Sequence, residues 1–140
     1  MRAVYRWWTA IVFAAVLLQI AFAGYGAFYV VNKADDKSKL ITNHGVDHGW
    51  GPHSGFGYLV ILLGLVLVPI AFLAKADRER KRWVGLIAIL MIVQFFLAVL
   101  GWTWAPLGFL HPINAIAIAG TTGMLARREW KGGSEAAAAV

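Results

Sequence analysis

Four histidines, His44, His48, His53 and His111, are the residues here with the widest chemical range. His53 and His111 each stand at the head of a long uncharged run, at 52–74 and about 109–126. An ionisable ring at membrane depth must have its desolvation compensated, which makes it a functional candidate. Two neutral imidazoles facing each other across a helical bundle suit a haem iron, whose potential depends on its axial ligands. Steps of one turn from His111 meet Ala115, Ala119 and Gly123, and below His53 come Gly57 and Gly64. Such small residues on one face would let a flat macrocycle lie close to the backbone. They also serve plain helix packing, and an interfacial histidine also serves to bond a loop carbonyl or a lipid headgroup. Two rings on parallel helices, both beside small residues, favour haem b with His53 and His111 as iron ligands.

The remaining polar residues are supporting candidates. His44 and His48 have the i, i+4 spacing of a metal pair on one helical face. Gly45, Gly49 and Gly51 argue against a helix there. The pair reads either as a second metal site, a lid over haem propionates or an alternative axial ligand, or as part of a solvated loop, with Asp47 able to orient a ring. Gln19 and Gln94 lie mid-run in the two segments without a terminal histidine. Interhelical hydrogen bonding is one role for them, and contact with a quinone or propionate is another. Asn114 follows His111 by about one turn and either orients a ligand or caps the helix start. The sequence contains no nucleophile–base pair, carboxylate dyad, P-loop or dinucleotide fingerprint, so an electron carrier fits better than an enzyme with catalytic residues of its own.

What must position these groups is legible from composition. Of 140 residues, 60% are hydrophobic and 14% charged, and mean hydropathy is +0.66. Soluble domains carry nearer a quarter charged residues, so this is the composition of an integral membrane protein. The net charge of +6 does not point to nucleic acid, because the basic residues flank apolar runs and form no stripe. With no cysteine, disulfides, thiolate metal sites and cysteine-linked haem are excluded.

Four runs, at about 7–31, 52–74, 83–104 and 109–126, are each long enough to cross a hydrocarbon core of roughly 30 Å. The first has a signal-peptide look, with Arg2 and Arg6 before it and Ala21-Phe22-Ala23 within it, but is read as a retained span. Residues 32–51 read as a polar loop. Pro52 suits the first turn of the second helix, and Pro69 interrupts it. The expected fold is all-α, an integral membrane up-down four-helix bundle over 1–131, with a disordered tail over 132–140. Arg2, Arg6, the basic cluster at 75–82, Arg127, Arg128 and Lys131 fall on one side, which the positive-inside rule makes cytoplasmic together with both termini. Trp50, Trp102 and Trp104 then mark the outer interface, and Trp7, Trp8, Trp83 and Trp130 the inner one.

In this topology the second and fourth helices run the same way, so His53 and His111 come to similar depth. Counted from the inner charges, the two depths are about 33 Å and 24 Å, a mismatch of roughly 9 Å. Propionates would point to the outer loop, where Lys33, Lys37, Lys39, His44, His48 and Trp50 offer cations and donors.

Four short helices with histidines opening the second and fourth, over about Trp7 to Arg128, resemble one half of haem A synthase. The stretch Leu110-His111-Pro112-Ile113-Asn114-Ala115 is similar to the LH-x-x-NA signature of small actinobacterial four-helix membrane proteins of unassigned function, as is Val93-Gln94-Phe95-Phe96-Leu97-Ala98. The resemblance implies the bundle fold and His53 and His111 as haem ligands. The catalytic half of that enzyme carries an acidic residue just before its second-helix histidine, and often cysteines. This sequence has only Asp47 upstream and no cysteine, so hydroxylation chemistry does not carry over. The reading is a small b-type cytochrome transferring electrons near the outer leaflet of a bacterial plasma (inner) membrane, as a subunit of a larger redox complex or beside a quinone. A non-redox accessory subunit, or a haem-handling protein, is the alternative.

Overall fold

The computed structural model describes residues 1–35 and 42–138, with side chains described up to Lys131. Among these described residues, four helices are long and apolar enough to cross a bilayer: α1 (Arg2–Ala34), α2 (Asn43–Leu73), α3 (Arg78–Thr103) and α5 (Leu110–Ala138), with the one-turn α4 (Ala105–Gly108) between the last two. The chain is a multi-pass membrane protein. Its helices carry apolar residues all round, as lipid-facing helices do. Phe28, Phe109 and Ile116 point outward and are mostly exposed. Val12, Val16, Leu67, Ile87, Met91 and Leu125 are almost fully enclosed at the centre.

The packing is four-cornered. Among the described residues, α1 packs on α2 and α5, and α3 packs on α2 and α5. The helices α2 and α5, which carry the histidines, therefore stand at opposite corners and run in the same direction. The buried Thr9 and Thr122 satisfy their hydroxyls on carbonyls of their own helices, at 2.7 Å to Arg6 and 2.7 Å to Ile118. Trp8 of α1 donates its indole N–H to the Leu63 carbonyl of α2 at 3.0 Å.

The second helix departs from the sequence reading. It begins at Asn43, so His44, His48 and Trp50 are helical and the connection from α1 is much shorter than 32–51. His53 and Pro52 lie inside α2 instead of opening it. Thr42 caps the start, accepting from the Gly45 N–H at 3.1 Å, an exchange typical of helix N-caps. Each glycine costs up to about 1 kcal/mol in helix propensity, but here that loss permits close packing. A Cβ on Gly49 would sit 2.8 Å from the Tyr29 ring, and one on Gly26 would sit 2.9 Å from the Trp50 ring and 3.0 Å from the Gly49 carbonyl. Tertiary contact between α1 and α2 thus overrides local preference. Lys37 and Lys39 lie outside the described residues. At the other end, α5 continues to Ala138, into the segment read as a tail, while Ala139 and Val140 lie outside the described residues.

The turn between α2 and α3 closes on backbone bonds from Lys75 N–H to the Phe72 carbonyl and from Ala76 N–H to the Ala71 carbonyl, both at 3.0 Å. This is a Schellman motif, and its left-handed position is normally glycine. Lys75 holds it instead, at φ 53°, a conformation costing an L-residue roughly 1–2 kcal/mol. Asp77 then caps α3, accepting from the Arg80 N–H at 2.8 Å. Arg80 reaches Glu129 of α5 at 2.6 Å, Arg128 pairs with Glu79, and the Trp7 and Trp130 rings meet edge-on at 4.9 Å. These contacts tie α1, α3 and α5 together at the basic end.

Candidate functional site

The two imidazoles meet. The ring centres of His53 and His111 are 6.1 Å apart at an interplanar angle of 72°, although their helices stand at opposite corners. The depth mismatch anticipated from loop counting is absent, because α5 runs on past Arg127 and the inner boundary of the fourth span is not where its charges begin. The remaining two corners supply amides: Gln19 from α1 reaches His53, and Gln94 from α3 reaches His111. Both glutamines thus bond between helices.

The hydrogen bonds define which nitrogen of each ring is bare. The Nδ1 of His53 lies 3.2 Å from the backbone carbonyl of Gln19. A carbonyl only accepts, so Nδ1 carries the proton and Nε2 keeps its lone pair. The Gln19 side-chain amide donates to the His53 carbonyl at 2.8 Å and lies 3.5 Å from Nε2. Trp50 stacks edge-on at 5.7 Å from the His53 ring. Gly57 makes room for the amide, since a Cβ there would be 2.8 Å from the Gln19 Nε2.

On the other side the logic starts at a backbone carbonyl. Asn114 Nδ2 donates to the Leu90 carbonyl at 2.9 Å and to Gln94 Oε1 at 2.7 Å. That turns the NH2 of Gln94 toward His111 Nε2, 3.0 Å away. The Nε2 must accept, so the neutral ring carries its proton on Nδ1. This Nδ1 is buried without a hydrogen-bond partner, and so is Gln19 Oε1. A buried unpaired donor and a buried unpaired acceptor each cost free energy, and such groups call for a partner or a role.

Beside the rings lies a cavity of about 300 Å³, lined among others by Gln19, His53, Gly57, Gln94, His111 and Ala115. Tyr58 and Trp102 also line it and are largely exposed, at 66% and 84%. Nothing in the sequence marked Ser54, Tyr58, Phe95 or Trp102 as lining a site, because such residues recur throughout the chain. The partner of His53 Nδ1 is a backbone atom, which no side-chain pattern can reveal. Two of the small residues noted beside the histidines are filled by neighbours: Gly64 receives Met91 and Gly123 receives Phe13. Ala119 packs against the core, leaving Gly57 and Ala115 at the cavity.

His44 and His48 are not part of this site. Both are exposed, and His48 stacks at 5.4 Å on Tyr29, whose ring also faces the Lys33 ammonium at 5.7 Å. Among the described residues no three His, Asp or Glu side chains cluster as ligands for a metal ion. A bare ion normally needs three or four protein ligands, whereas a porphyrin supplies four of its own and needs only axial nitrogens.

The fit to an iron porphyrin can be tested on this geometry. A metal–imidazole bond is about 2 Å and a ring centre lies about 1 Å beyond its nitrogen, so two rings on one metal stand about 6 Å apart. The observed separation matches. His53 presents a bare Nε2, and a carbonyl on the other ring nitrogen is the usual support for a ligating histidine. His111 would have to release the Gln94 amide to offer its own Nε2. The cavity lies at the small end of the range for ligand sites and accepts only the middle of a macrocycle unless Tyr58 and Trp102 move aside. The ligand chemistry fits, with those two adjustments.

Over residues 42–103 the chain is similar to a family of unknown function, DUF6220. This stretch covers all of α2 and α3, and so includes His53 and Gln94 but neither Gln19 nor His111. No curated protein and no solved structure matches the chain.

Proposed function

We propose that this chain is a small membrane-bound b-type cytochrome in which His53 and His111 hold one haem and transfer single electrons. The observation that carries the reading is the 6.1 Å separation of two imidazoles from helices at opposite corners of the bundle, beside a cavity that both rings line. The bound group supplies the one-electron redox chemistry. The protein's own residues hold and tune it: Gln19 fixes the His53 tautomer through its carbonyl, and Gln94, itself held by Asn114, orients His111 until its Nε2 is given up to the iron. Gly57 and Ala115 line the central space. By the positive-inside rule the histidines lie toward the outer face of a bacterial plasma (inner) membrane with both termini cytoplasmic, where a quinone or a larger redox complex is the partner.

A second reading has its own support. The same 6.1 Å edge-on contact lies within the ordinary range for aromatic pairs, and both rings already have amide partners. On that reading the four polar groups knit the bundle of a non-redox accessory subunit, or of a protein that hands haem on. Purification from haem-replete cells separates these. The cytochrome gives a Soret band, with α and β bands that sharpen on dithionite reduction, and His53→Ala and His111→Ala each abolish them. A folded, colourless protein refutes the cytochrome. Haem that washes away in detergent indicates a carrier.

A further inference from the structure

We propose a second site at the opposite end of the bundle, which binds the phosphate of an anionic phospholipid headgroup through Arg2, Arg6, Lys75 and the Tyr5 hydroxyl. A cavity of about 440 Å³ opens there between the start of α1, the α2–α3 turn and α5. Its lining holds four cations, Arg2, Arg6, Lys75 and Arg80, and two carboxylates, Asp77 and Glu129. Both carboxylates are spent on Arg80. Among the described residues, no carboxylate pairs with Arg2, Arg6 or Lys75.

Two donors in this lining are unmet. Tyr5 is only 3% exposed, and its hydroxyl has no hydrogen-bond partner. The Nε of Arg6 is likewise buried and unpaired, with its guanidinium held 4.8 Å over the Trp130 ring. A ligand that satisfies a hydroxyl and a guanidinium N–H together beside surplus positive charge needs several anionic oxygens, which describes a phosphate. Lys75 adds a third cation from a left-handed backbone position where glycine would be free of strain. Such strain persists where a side chain is needed. The source is a lipid, because Trp7, Phe72 and Leu73 beside the cavity expose apolar side chains outward, along which acyl chains can lie. Basic pockets between membrane helices recognise anionic headgroups in this way.

The test uses the purified full chain in nanodiscs of phosphatidylcholine alone or with phosphatidylglycerol, reading the unfolding midpoint and the phosphatidylglycerol retained per protein. Phosphatidylglycerol raises the wild-type midpoint. Arg6→Gln lowers its affinity about fivefold, Tyr5→Phe lowers it in the same direction, and Arg127→Gln, an exposed cation outside the cavity, leaves it unchanged. Lys75→Gly raises the midpoint in phosphatidylcholine while weakening the response to phosphatidylglycerol, a combination that misfolding cannot produce. Equal responses in all four variants mean general surface attraction and overturn the proposal. A Tyr5→Phe protein that is more stable but binds phosphatidylglycerol normally also overturns it. So does inorganic phosphate, if it reproduces the shift in phosphatidylcholine discs, because the ligand is then a soluble anion.

Discussion

Replacing Asn114 by alanine isolates the step that sets His111. Asn114 makes two bonds, 2.9 Å to the Leu90 carbonyl and 2.7 Å to Gln94 Oε1. Interhelical bonds in membrane proteins average about 0.6 kcal/mol and reach about 1.7, so the pair is worth about 1 kcal/mol. The Leu90 carbonyl retains its own helical partner, and unfolding is therefore only modestly easier. The larger effect is on orientation. Without Asn114 the Gln94 amide is free to turn and offer Oε1 instead of NH2, and both tautomers of His111 become accessible. The Gln94 amide occupies the His111 Nε2 that an iron would need, so loosening it removes a competitor for that lone pair and not a support. On the cytochrome reading, the expected outcome is a small drop in unfolding midpoint beside haem retention at least as long as in the wild type. Imidazole ¹⁵N shifts in the haem-free protein give a second readout: the wild type shows the proton on Nδ1 of His111, and the variant a mixture. A wild-type ring protonated at Nε2, or a variant that loses haem markedly faster to an apo-acceptor, refutes the reasoning.

Gly26→Leu drives a side chain into the Trp50 ring and the Gly49 backbone, which Cβ alone would meet at 2.9 and 3.0 Å. Backbone must move, and overpacking of this kind costs about 1–3 kcal/mol or more, to be read as a lower unfolding midpoint with His53 displaced alongside Trp50. Asp77→Ala removes the cap of α3 and costs about 1 kcal/mol. The Asp77 carboxyl is held below the usual carboxylate value, first by the Arg80 backbone N–H. Its contribution is therefore complete above that usual value and is lost as pH falls toward and through the lowered one. A wild-type midpoint that declines on acidification, with a smaller decline in Asp77→Ala, is the expected result, and identical pH profiles would argue against a role for this cap.

Spacing, hydropathy and charge asymmetry were sufficient for the four spans, because a bilayer imposes length and apolarity on each helix separately and both are properties of contiguous sequence. The choice of His53, His111, Gln19 and Gln94 was also legible, since polar side chains within such runs are conspicuous. The start of α2 was not, because Gly45, Gly49 and Gly51 disfavour a helix locally and only their fit against Gly26, Tyr29 and Trp50 reverses the balance. Nor did the stripes of small residues announce what fills them. Met91 and Phe13 take up Gly64 and Gly123 from helices distant in sequence. The meeting of the imidazoles needed α2 and α5 at opposite corners. The bare nitrogen of each ring depended on carbonyls of Gln19 and Leu90, backbone atoms present at every residue and selected only by the way the helices pack.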